Sequence, residues 1–93
     1  AKPAPLAEAE RLRRAIATAP RNAEAHRALG DLLLSLNAPA EAAPVLDALV
    51  RLRPGPADSW RKRGYALEML GRFAEAEASY REAFSRAPTA ELG

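Results

Sequence analysis

The sequence predicts an all-α chain made of stacked antiparallel helix hairpins, and three observations predict it. Pro20, Pro54 and Pro88 stand 34 residues apart twice over. The same offset relates Gly30 to Gly64, Ala42 to Ala76, Asn37 to Gly71, His26 to Trp60, Leu33 to Leu67 and Leu36 to Leu70; a fixed period of this length marks a repeat architecture. Hydrophobic residues make up 48% of the 93, yet aromatics only 5%, and much of the apolar content is alanine. That composition suits helices packed closely together and supplies few strand formers.

Apolar periodicity places helices near 5–19, 23–36, 39–53, 57–70 and 73–86. The first ends before Pro20, and Asn22 is placed to cap the second. Gly30 and Gly64 lie inside apolar-periodic runs, where glycine costs about 1 kcal/mol relative to alanine. Close approach of a second helix offsets such a cost, with Ala42 and Ala76 expected on the facing surface. Asn37 and Gly71 accept a left-handed backbone and mark the ends of the second and fourth helices. Pro44, early in the third helix, predicts a kinked first turn or a delayed start. Pro54-Gly55-Pro56 reads as a stiff connector, and Pro54 and Pro88 each force the chain out of a helix that closes a hairpin.

A unit of this length with an aromatic, Leu-Gly, Ala, an aromatic and then Pro resembles the tetratricopeptide repeat family. The better match reads Trp60, Gly64, Leu67, Gly71, Phe73, Ala76, Tyr80, Ala83 and Pro88, departing at Arg63, where the family usually carries leucine. The preceding unit reads His26, Leu29, Gly30, Leu33, Asn37, Ala42, Leu46 and Pro54, with His26 and Pro39 in place of aromatics. The resemblance implies a right-handed superhelical stack of hairpins, an α-solenoid of about two and a half units. One domain over residues 1–93 is expected: 5–20 as the second helix of a partial repeat, 23–54 and 57–88 as repeats, and 89–93 as the start of a truncated helix. In the partial unit Leu12, Ala15, Ile16 and Pro20 take the places of Leu46, Leu49, Val50 and Pro54. Glu8 falls where the other units have alanine, which fits a site with no partner helix.

Composition narrows the function. Fourteen basic and twelve acidic residues, interspersed, leave a net charge of +2 and no strong field for nucleic acid. Without cysteine there are no disulfides, thiolate metal sites or thiol nucleophiles, and the compartment stays open, cytoplasm before periplasm. No apolar run approaches the roughly 20 residues that span a bilayer, and Ala1-Lys2-Pro3-Ala4-Pro5 lacks the apolar core of a signal peptide. The single histidine, His26, reads as a half-buried packing residue at the Trp60 position. Carboxylate pairs such as Glu8 and Glu10 or Glu75 and Glu77 are two apart and face different ways. No catalytic residue, metal site or cofactor is expected.

The expected function is that of a protein-interaction scaffold binding a peptide or partner protein in a concave groove. The family's inward-facing positions, carried over by the resemblance, include Glu24, Arg27, Asp31, Leu34 and Ser35 on one helix and Asp58, Arg61, Tyr65, Glu68 and Met69 on the next. Arg27 and Arg61, 34 residues apart, suit a peptide carboxylate, while Tyr65 and Met69 suit its apolar side chains. The bland alternative is an ordinary solvated face whose arginines pair locally with Asp31 or Asp58. A basic set, Arg51, Arg53, Arg61, Lys62 and Arg63, brackets the proline connector but lacks interleaved aromatics. Two other functions compete: a non-catalytic repeat segment of a larger, transferase-like enzyme, and a homo-oligomer assembly module. The latter would bury Leu12, Ile16, Tyr80 and Phe84 at the ends of the stack.

Overall fold

The computed structural model describes residues 5–87; the expectations for Pro88 and for 89–93 lie outside them. The described chain forms five helices, α1 (Pro5–Thr18), α2 (Ala23–Ser35), α3 (Pro39–Leu52), α4 (Ala57–Met69) and α5 (Phe73–Arg86), with no strand among the described residues. Connections of three or four residues reverse the chain at each step, so each helix packs on its neighbours in sequence, and α2 also touches α4. The stack is elongated, 45 × 26 × 24 Å.

The ends of the helices follow from their residues. Asn22 accepts a hydrogen bond from the Ala25 amide at 3.2 Å, capping α2. Asn37 (φ 58°) and Gly71 (φ 79°) both adopt the left-handed backbone. At the first turn the Asn37 amide donates to Leu34 O and the Ala38 amide to Leu33 O; at the second, Gly71 and Arg72 repeat this with Glu68 and Leu67. Both helices therefore end in the same paired-bond motif, which satisfies their last carbonyls and aims the chain back. Of the two effects expected of Pro44, the delayed start is absent: α3 begins at Pro39 and runs through Pro44. Pro44 and Ala40 are both exposed, so water can take the carbonyl that the missing N–H leaves free.

The core runs along the axis of the stack through Ala9, Leu29, Leu33, Ala42, Leu46, Leu49 and Ala66. Ala9 is fully buried one residue beyond Glu8, so α1 does press a small side chain on α2, through the position equivalent to Ala43. A Cβ added at Gly30 would lie 2.5 Å from Leu46 Cδ2, and one at Gly64 2.9 Å from the Tyr80 ring. Close helix approach at each glycine is thus present. The side chains that fill the space are Leu46 and Tyr80, one turn beyond the expected Ala42 and Ala76, which are buried beside them.

His26 and Trp60, equivalent in the repeat, do equivalent work. His26 is buried, with Nδ1 2.9 Å from the Asn22 carbonyl. The Trp60 indole donates to the Pro54 carbonyl at 2.8 Å, and the Arg86 guanidinium lies 4.9 Å over its ring while also donating to Pro54 O. Each ring ties the connector before its helix to the stack.

Candidate functional site

The first helix of each hairpin, α2 and α4, brings one polar stripe beside the other. On α2 the stripe carries Glu24, Arg27 and Asp31; on α4 it carries Asp58, Arg61, Lys62 and Tyr65. Lys62 joins the two helices, its Nζ 2.6 Å from Asp31 and 2.9 Å from Asp58. Partial burial works against the Lys62 charge, but hydrogen bonds to the two carboxylates and their charges outweigh it and raise its pKa. Chiefly through its hydrogen bond to Lys62, Asp58 is held below the usual aspartate range. A hollow of about 390 Å³ opens here between Asp58, Arg61, Lys62, Tyr65 and Tyr80, and a smaller one lies beside Glu24, Arg27, Arg53 and Asp58.

The expected groove residues fall into two groups. Arg27, Arg61 and Tyr65 are exposed and in reach of a ligand. Arg27 pairs with Glu24 at 2.7 Å and Arg61 with Asp58, each one turn back along its own helix. Asp31 is engaged by Lys62, Glu68 accepts the Tyr80 hydroxyl at 2.7 Å, and Leu34 packs against the core. Met69 is half-buried near the end of α4. The face holds three cations, Arg27, Arg61 and Lys62, against four carboxylates, Glu24, Asp31, Asp58 and Glu68.

Of the residues expected at the ends of the stack, Leu12 and Ile16 pack partly on the core. Tyr80 lies against Gly64 with its hydroxyl on Glu68. Phe84 is different: it stays 63% exposed, whereas its equivalent Val50 is 4% exposed in the middle of the stack.

The basic set is mostly neutralised within the chain. Lys62 and Arg61 are paired as above, and Asp47 takes Arg51 at 3.0 Å and Arg63 Nε at 3.1 Å. Arg63 also donates to the fully buried Ser79 hydroxyl, so this side chain ties α3, α4 and α5 together. Sequence reading missed the roles of both Lys62 and Arg63. The Asp58–Lys62 spacing of four was a visible signal for the first, and Arg63 at a leucine position was a hint for the second. Nothing local connects Arg63 to Asp47 or Ser79, each 16 residues away.

A tetratricopeptide repeat model matches residues 7–55 and again residues 39–91. The chain belongs to the tetratricopeptide repeat family. Comparison with curated proteins gives no match. Tetratricopeptide repeats in general mediate protein–protein interaction and are typically non-catalytic scaffolds. Among the described residues no helix is long and apolar enough to cross a membrane, and no three or more His, Asp or Glu side chains gather where they could hold a metal.

Proposed function

We propose that this tetratricopeptide repeat chain is an interaction scaffold that holds a peptide or a segment of a partner protein along the α2–α4 face. The observation that carries the reading is the recurrence of an exposed arginine, Arg27 and Arg61, at the same repeat position on adjacent helices, with the exposed Tyr65 ring beside the second. Each guanidinium keeps donors beyond those spent on Glu24 or Asp58 and can add a ligand carboxylate in a forked contact. Tyr65 and Met69 supply rigid and adaptable apolar area. Because carboxylates interleave with the cations on this face, the fitting ligand carries both a single acidic group for the arginines and an apolar anchor for the ring. A strongly acidic ligand would also meet Glu24, Asp31 and Asp58.

The experiment is to select peptides from a displayed library on the folded chain and map the best binder by backbone amide NMR. The expected perturbations run along α2 and α4 through Arg27, Arg61, Tyr65 and Met69. Perturbations that avoid both helices would refute the assignment.

A further inference from the structure

A larger hollow lies away from the α2–α4 stripe. It is a cleft of about 680 Å³ running between α3 and α5 across α4, and Arg51, Arg63 and Arg72 converge on it. Arg63 and Leu67 on α4, and Leu70 just past its end, sit roughly 160° round the helix from Arg61, Tyr65 and Glu68, at 100° per residue. The cleft and the proposed groove therefore share no residue and face opposite ways.

We propose that this cleft is a second docking site, for an extended acidic segment of a partner protein in which carboxylates alternate with aliphatic side chains. The deepest part of the lining is apolar, with Ala43 and Leu67 buried and Leu70 half-buried. The outer part is cationic. Arg51, its side chain 78% exposed, and Arg63 share the single carboxylate of Asp47, and the exposed Arg72 holds Glu75 at 2.6 and 3.0 Å. Three guanidiniums against two carboxylates leave one net positive charge, unlike the α2–α4 face, where four carboxylates meet three cations. One carboxylate cannot use all the donors of two guanidiniums, so Arg51 in particular retains N–H groups facing solvent. An extended chain sends successive side chains to opposite sides. A segment lying in the cleft thus places aliphatic groups on Leu67 and Leu70 and carboxylates beside Arg51 and Arg72. The volume is in the range of sites that enclose small ligands or a few side chains, about 300–1,000 Å³.

The probe is a fluorescein-labelled Asp-Leu-Asp-Leu-Asp-Leu peptide followed by anisotropy with the full chain, and Lys-Leu-Lys-Leu-Lys-Leu is the control. The expected result is saturable binding of the acidic peptide, weakened by added salt. It should fall about tenfold or more in Arg51→Glu/Arg72→Glu and stay unchanged in Arg27→Ala/Arg61→Ala. If circular dichroism shows the double reversal to be unfolded, Arg51→Glu alone carries the test with a loss of about threefold. The proposal is overturned by no binding up to about 1 mM peptide, by equal binding of the lysine control, or by an affinity that responds to Arg27→Ala/Arg61→Ala alone. Tighter binding of a labelled oligothymidylate than of the acidic peptide would also overturn it. Only the response to Arg27→Ala/Arg61→Ala touches the α2–α4 reading, which it would support; the other results leave that reading where it stands.

Discussion

Replacing Gly30 with alanine pits two opposed effects of similar size against each other. In a free helix the change stabilises by about 1 kcal/mol, because alanine loses less backbone entropy. Here the new methyl would stand 2.5 Å from Leu46 Cδ2 and 3.0 Å from Cγ, inside any real carbon–carbon contact. Leu46 has no exposed surface and is enclosed by the core, so it cannot swing aside into solvent. Overpacking of a filled core costs roughly 1–3 kcal/mol, so the net expectation is a destabilisation of about 1 kcal/mol. For a domain of this size that lowers Tm by about 4–8 °C, measurable by circular dichroism at 222 nm during heating. Leu46→Ala alone costs about 2–5 kcal/mol. Because Leu46→Ala removes the obstacle, the double variant should be more stable than the two single losses predict, with a favourable coupling of about 1 kcal/mol. Gly64→Ala should cost less than Gly30→Ala, since the half-buried Tyr80 ring in its way can tilt outward. A Gly30→Ala protein that melts at or above the parent temperature would refute the close-approach argument.

Arg63→Leu restores the residue type usual in the family but leaves the buried Ser79 hydroxyl without its partner, at a cost of about 1–3 kcal/mol. Adding Ser79→Ala should recover most of that loss in urea denaturation; no recovery would show that the arginine stabilises by some other contact. The Tyr80 hydroxyl pKa is pushed up to about 12 from the ordinary tyrosine range, first by burial and then by the hydrogen bond and charge of Glu68. Its protonated form is favoured by folding, so this contribution is complete below about pH 10 and is lost as pH rises through about 12. In a Tyr65→Phe background, absorbance at 295 nm should titrate near the higher value and fall part of the way back in Glu68→Ala. A midpoint at the ordinary tyrosine value would contradict the contact.

The fold was legible because its determinants are local and recur. Pro20, Asn22, Asn37, Pro54 and Gly71 act within a turn or two of chain, and the 34-residue offset states each of the later ones twice. All five helices start where the periodicity put them, and the first four end one residue sooner than expected. The delayed start expected at Pro44 does not occur, because the freed carbonyl can meet water, a matter of which way α3 faces. The candidate site was less legible. Periodicity shows that Arg27 and Arg61 share a face, but their partners are chosen by rotamers and by the distance between helices. Asp31 to Lys62 and Arg63 to Asp47 cross between elements and leave no repeating trace, since Lys62 and Arg63 replace Ala28 and Leu29 of the unit before. The cleft between α3 and α5 is likewise a product of how helices stack.

The most direct test of the scaffold assignment is the affinity of Arg27→Ala/Arg61→Ala for a peptide selected on the parent chain. Both side chains are exposed and bonded only to a neighbouring carboxylate on their own helix, so folding should be nearly unchanged by circular dichroism. Their loss removes the ligand's partners and leaves Glu24 and Asp58 facing its acidic group. The account predicts a loss of about 2 kcal/mol, roughly thirtyfold in Kd; a folded double variant that binds as tightly as the parent would contradict it.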